Sequence, residues 1–295
     1  MDAGSGARIL QVGAPPRPAM FRKSLERKLM IKSANPFRAL RSMVEFIGGL
    51  AQLMFSALLL VPTALLSKRG RRLGWQNLWQ QMDRVGVKSV PIVTLVLFCI
   101  GAILALQMAP ILREYGKVDS VADVISVAIF RELGPLMSAI VLTGFAGASI
   151  AAEVGTMVVS EEIEALEAHA INPVRFLVVP RVLASTVMMV CLAIVGDVAG
   201  IIGGLTVSGA FLGIGHQQYV THTFSILQLR DFITGLVKAG VFGALIAGLA
   251  CHLGLKVTGG ASGVGSATTR TVVYTIVALI FVDLLFTSVF YFLGL

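Results

Sequence analysis

Glu132, Lys238 and Asp283 are ionisable residues set inside long apolar stretches of a 295-residue chain. A charge at the middle of a membrane helix costs at least about 2.5 kcal/mol on insertion scales, so each calls for a partner or a function. One lysine with two carboxylates can form a buried paired network, line a polar cavity, or relay a proton or ion. Asp197 is a fourth such residue, expected toward the end of its apolar run and near water. Outside the apolar runs, residues 160–173 carry Glu161, Glu162, Glu164 and Glu167 around Ile163, Leu166 and Ala170. Ser160 is the expected N-cap, the first glutamates favour the positive end of the helix dipole, and the apolar residues recur at helical spacing. The segment reads as a short amphipathic helix whose acidic face either docks on a basic partner or is simply solvated.

Other chemistries find no set of residues. The glycine-rich run 259–265 lacks the G-x-x-x-x-G-K-[ST] pattern and follows no strand, so the chain is not expected to bind a nucleotide or any other cofactor itself. Ser262 in Gly260-Ala-Ser-Gly263 superficially matches an intramembrane serine protease, but it falls in an expected loop with no histidine in a later span. His216 and His222 have no neighbouring carboxylate or cysteine in sequence, so they read as solvated loop residues and no metal site is expected.

Composition sets the elements that must hold these residues. The chain is 56% hydrophobic and 14% charged, with mean hydropathy +0.86, beyond what a soluble core of this size needs. Its apolar runs reach the roughly 20 residues of a membrane-spanning helix, which makes it an all-α integral membrane protein. The net charge is +8, and 15 of the 24 Lys and Arg precede Val90. That placement suits a cytoplasmic segment facing anionic lipid, not a nucleic-acid partner. Cys99, Cys191 and Cys251 sit in or beside apolar runs and form no disulfide framework.

Residues 1–36 are basic, contain no long apolar run, and are expected to be a flexible cytoplasmic N-terminus with a short surface helix around Met20, Phe21, Leu25 and Leu29. An organellar transit peptide is the competing reading of that stretch. The apolar segment 43–66 is flanked by basic residues on both sides and contains Gly48, Gly49 and Pro62, so it reads as an interfacial or re-entrant element, with a sixth span as the alternative. Five spans follow, at about 87–112, 121–159, 174–207, 232–255 and 271–293. The second would be about 58 Å long at 1.5 Å per residue against a hydrocarbon core of about 30 Å, so it must kink, with Pro135 the expected break, or project. With the N-terminus inside, the acidic segment is cytoplasmic, and Glu132, Lys238 and Asp283 fall into one layer roughly 10 to 18 Å below the outer surface. Gly196, Gly200 and Gly204, and Gly144, Ala148 and Ala152, form small-residue rows expected to pack helices within the chain.

Two blocks of residues resemble a known family. Arg131-Glu-Leu-Gly-Pro135, Ala151-Ala-Glu-Val-Gly155, Glu161-Glu-Ile-Glu-Ala-Leu166, Ile171-Asn-Pro173 and Val179-Pro-Arg-Val-Leu183 form the first, and Ser266-Ala-Thr-Thr-Arg-Thr-Val-Val273 with Asp283 the second. Together they look like the MlaE/YrbE family of ABC-transporter permeases, from about Met43 to the end, within a permease domain expected over 37–295. The resemblance implies an interfacial N-terminal element plus five spans, a permease homodimer, a separate ABC ATPase that hydrolyses ATP, and an MCE-domain lipid-binding partner. It implies movement of lipid, with phospholipid the expected class, between membranes. Glu161, Glu162, Glu164, Leu166 and Glu167 would belong to the helix that couples to the ATPase, and Glu132, Lys238 and Asp283 would lie by the lipid cavity. The bacterial inner membrane is the expected location, with the plastid inner envelope as the alternative. An ion-coupled secondary transporter built on the same three charges is the rival function, although an odd number of spans does not divide into two inverted halves.

Overall fold

The computed structural model describes residues 36–66 and 71–294, and among these the chain is helix and connecting turns. The basic stretch 1–35, with its expected surface helix, lies outside the described residues. The chain divides at Gly48 and Gly49, inside the first helix, α1 (Pro36–Leu66). In the N-terminal unit, Arg41 Nε donates to Glu45 at 2.8 Å in an exposed pair one turn apart.

The second unit begins with the rest of α1. Leu53, Ala57, Leu60 and Val61 recur on one face and pack against the core, while Phe55, Leu58 and Leu59 on the other faces are exposed. The helix assignment is uninterrupted from Pro36 to Leu66 with Pro62 inside it, so the residues expected as places to bend do not end the helix. By length and composition alone the stretch Val44–Pro62 is a sixth candidate span. A Cβ on Gly49 would touch the His252 ring and one on Gly248 would touch the Met54 thioether, so this part of α1 packs alongside the helix that carries Gly248 and His252.

Helix α2 (Arg71–Val85) was not foreseen. It leads through a short 3₁₀ turn at Val87–Ser89 into the first span, α3 (Val90–Glu114). Span α4 (Val121–Val159) has the expected boundaries. Pro135 does not break it. The chain instead inserts an extra residue in two π turns, Ile129–Leu133 and Thr143–Gly147, and Pro135 falls in the first turn of the helix after the first of them. A missing N–H is harmless at that position.

The short helix α5 (Glu162–Ala168) follows at one end of the bundle, and α6 (Val174–Leu212) returns through it. At the opposite end, where a loop was expected, lies a helix, α7 (His216–Ile226), anchored by a fully buried Tyr219 whose hydroxyl packs against Gly204. Burial pushes the Tyr219 phenol well above its usual range. Helices α8 (Leu229–Gly254) and α9 (Gly260–Leu293) complete the fold. The start of α9 corrects a second expectation: residues 260–270 are helical, Ser262 included. That polar turn is compatible with helix because Ser262, Ser266 and Thr268 each donate a hydroxyl to the carbonyl three residues back.

The core forms where small residues let backbones approach. A Cβ on Gly101 would collide with the Gly200 carbonyl, and one on Gly203 with the Phe98 carbonyl, so α3 and α6 meet backbone to backbone. The Gly196-Gly200-Gly204 row thus packs within the chain, as expected. Gly144 faces open space, so the second row does not form a continuous internal seam.

Candidate functional site

Lys238 stands in α8 among Gly235, Ala239 and Phe242, all buried, and its own side chain is 1% exposed. An isolated ammonium there would be prohibitively costly, and the neighbouring helices supply what it lacks. Its Nζ lies 2.6 Å from Glu132 Oε2 of α4, 3.0 Å from Asp283 Oδ1 of α9 and 3.0 Å from Thr287 Oγ1 of α9. Thr287 in turn donates to Glu132 Oε1 at 3.0 Å, which engages both carboxylate oxygens. The Phe290 ring centroid lies 6.0 Å from Nζ.

The three residues singled out in the sequence are therefore neighbours, one from each of three helices. Glu132 sits in the first π turn of α4, so the inserted residue helps set where this carboxylate points. The cluster is not sealed: the Glu132 side chain is 37% exposed and Asp283 15%. With two carboxylates to one ammonium it carries an excess negative charge when all three ionise, beside apolar surface. Thr287 was missed. It lies one helical turn beyond Asp283, and that spacing could have flagged it.

Asp197 does not lie near water as expected: it is 2% exposed, and its Oδ1 packs against Gly134, where any Cβ would collide with it. It does not join the Lys238 cluster. At the α7 end, His222 Nδ1 is 3.3 Å from Asp123 Oδ1, so this histidine has a carboxylate companion after all. Ser126 donates to Thr223 at 3.1 Å and Arg131 is 3.4 Å from Asp231. These pairs tie α4 to α7 and α8.

The acidic segment forms a helix, shorter than its sequence frame. Glu161, Glu162, Glu164 and Glu167 are all exposed, and Ile163 and Leu166 are half-buried toward the bundle. Ser160 does not cap it. Its hydroxyl donates back to the Thr156 carbonyl at 3.0 Å or to Glu162 at 2.9 Å, and the cap position is taken by Glu161 with φ 61. Ala170, expected in the apolar stripe, lies beyond the helix at φ 56 and is exposed. Asn172 starts α6 instead, accepting from the Val174 and Arg175 amides at 2.9 and 3.3 Å.

Sequence reasoning also missed a second ionic group at this end. Glu153 of α4 accepts from Arg84 at 2.7 Å and lies 3.0 Å from Arg181, which is 4% exposed and also donates to the Leu177 carbonyl. Its residues lie far apart in sequence, and nothing local marks them as partners.

Together the six helices long and apolar enough to span, the three-helix charge cluster and the projecting acidic helix define a multi-pass, all-α membrane protein with a buried polar site and a separate end-face helix. Comparisons with known proteins agree with that class. The model for the family "Permease MlaE" matches residues 78–289. A probable ABC transporter permease protein of Rickettsia felis is 39% identical over 212 residues, covering 72% of this chain and 82% of the relative. One from Synechocystis sp. is 35% identical over 243 residues, 82% of this chain and 92% of the relative. The Arabidopsis thaliana chloroplastic protein TRIGALACTOSYLDIACYLGLYCEROL 1 is 32% identical over 220 residues, 75% of this chain and 63% of that protein. The chain belongs to the MlaE permease family.

Proposed function

We propose that this chain is the membrane permease subunit of an ABC-type lipid transporter, moving lipid, most simply phospholipid, between membranes at the expense of ATP hydrolysed by a separate ATPase. The observation that carries the reading is the pairing of two sites on opposite parts of one rigid bundle. An exposed acidic helix, α5, sits between spans α4 and α6, and α4 also bears Glu132 of the intramembrane cluster. A push on α5 reaches the cluster through a single helix whose π turns offer places to yield. The relatives' names as ABC transporter permeases supply the ATPase partner, and the name of the Arabidopsis relative points to a glycerolipid.

In this reading the chain holds no nucleotide and performs no hydrolysis. It pairs with a second copy, for which the exposed apolar face of α9, with Val277, Phe281 and Leu284, offers the surface. An MCE-domain lipid-binding protein takes lipid at the α7 end. The α5 end faces the cytoplasm with the N-terminus, in a bacterial inner membrane or a plastid inner envelope. Glu132, Lys238 and Asp283 line the base of the lipid path.

The test is reconstitution with an ABC ATPase from the same organism. Replacing Glu161, Glu162 and Glu164 with lysine should abolish co-purification of the ATPase, and identification of co-purified lipids by mass spectrometry should return glycerophospholipid. Unchanged assembly and ATP turnover in the triple variant would remove the docking role. Substrate movement that persists without ATPase would favour the ion-coupled alternative.

A further inference from the structure

A second polar cleft opens at the α5 end, between the α2–α3 junction and α4, remote from the Lys238 cluster. One part of it, about 490 Å³, is walled by Val85, Phe145, Ala146 and Ile150 and reaches Lys88, Arg84 and Glu153. A contiguous polar part, about 650 Å³, shares those three charged residues and adds Asp83, Gln81 and Trp79. The charge balance at their junction is positive. Glu153 spends both carboxylate oxygens on Arg84 and Arg181, so one anion faces two guanidiniums before Lys88 is counted. Lys88 is exposed and makes no ion pair among the described residues. The Gln81 carboxamide oxygen is buried without a hydrogen-bond partner, and rotation of the amide turns an N–H to the same place. Asp83 lies on the wide polar side, which leaves the Phe145 side of Lys88 as the seat for an anion.

Two features give the level of this seat in the membrane. Trp75 and Trp79, on successive turns of α2, are 46% and 63% exposed, in the manner of side chains that settle at the headgroup layer. Phe145 is 44% exposed and projects from the second π turn of α4, continuing the cleft as an apolar wall toward the bilayer interior. A cation at headgroup depth with an apolar wall running inward from it matches a phosphate with an acyl chain attached.

We propose that this cleft binds an anionic glycerophospholipid from the leaflet at the α5 end, its phosphate against Lys88 and Arg84 and one chain along Phe145. The site stands apart from the transport path and does not depend on the permease reading.

The chain has only two tryptophans, both on α2 beside the cleft, so their quenching by brominated lipids reports its occupancy. The full-length chain would be placed in nanodiscs of phosphatidylcholine with increasing brominated phosphatidylglycerol, and separately with brominated phosphatidylcholine. Phosphatidylglycerol should quench with a several-fold preference, and Lys88→Gln should cut that preference by about five-fold, the effect of one basic residue at a membrane surface. Lys117→Gln, at the opposite end, should leave it unchanged. Equal quenching by the two lipids, retention of the preference in K88Q, or equal loss in K117Q would each overturn the site. So would abolition of the preference by millimolar glycerol phosphate, which would make the ligand a soluble phosphate and not a lipid.

Discussion

Lys238 Nζ lies 2.6 Å from Glu132 Oε2, yet the lysine side chain is 1% exposed and the glutamate 37%. The cation is enclosed in the bundle while its partner is partly exposed at the surface. Loss of the Glu132 contact would leave Lys238 with Asp283 and Thr287 at 3.0 Å each. Such an arrangement separates the structural part of an ion network from the part that can respond.

Removing the fixed member should therefore be the most damaging change in the cluster. Lys238→Ala leaves two carboxylates facing each other in apolar surroundings and should destabilise the protein by about 3 kcal/mol. Thermal unfolding in nanodiscs measures this. Combining K238M with E132Q and D283N should restore most of the stability while lipid transport stays lost, which separates a transport role from a purely structural one.

The contact of Arg181 with Glu153 and the Leu177 carbonyl makes a similar demand at the other end. Arg181→Ala should cost about 2 kcal/mol, because a buried hydrogen-bonded charge is lost from beside Glu153. Arg181→Lys should recover less than half, since an ammonium cannot span both acceptors as the planar guanidinium does. Denaturation of the purified variants gives the comparison.

Close helix approach can be tested by a pair of glycines. Gly101→Ala drives a methyl into the Gly200 carbonyl and should cost about 1–3 kcal/mol as overpacking. Gly144→Ala meets nothing within 4 Å and should change stability by less than about 1 kcal/mol, with helix propensity on its side. Equal effects would mean that α3 and α6 are not in backbone contact.

Ser160 offers a smaller but sharper check. A true N-cap serine is worth about 1 kcal/mol, whereas Ser160 bonds back to Thr156 and to Glu162 on an exposed surface. Ser160→Ala should cost below about 0.5 kcal/mol and leave ATPase co-purification intact. Asn172→Ala, which removes the acceptor of two amides at the start of α6, should cost about twice as much or more.

Much of this architecture was legible in one dimension because lipid imposes it there. A run of apolar residues long enough to cross must be helical, so α4 was bounded correctly at 121–159. The cost of intramembrane charge pointed to Glu132, Lys238 and Asp283 without any coordinates. Local rules failed where polar residues satisfy themselves within a helix. Ser262, Ser266 and Thr268 return their hydroxyls to the backbone, so residues 260–270 look like a loop by composition and are helix in fact. The same is true of α2, whose polar face conceals its period.

Which charges meet is a different matter, since pairing depends on the rotation of each helix about its axis and on its depth relative to its neighbours. Depth follows roughly from residue counting, and it put the three cluster residues in one layer. Rotation is set by packing: the backbone contact of Gly101 with Gly200 and the π turns of α4 shift every later side chain around its helix. Those features bring Lys238 onto two carboxylates and Thr287, bury Asp197 against Gly134, and join Arg84, Glu153 and Arg181 across three helices. Hydropathy fixes how a chain enters the membrane, but only the interlocking of its helices selects the partner each buried charge will find.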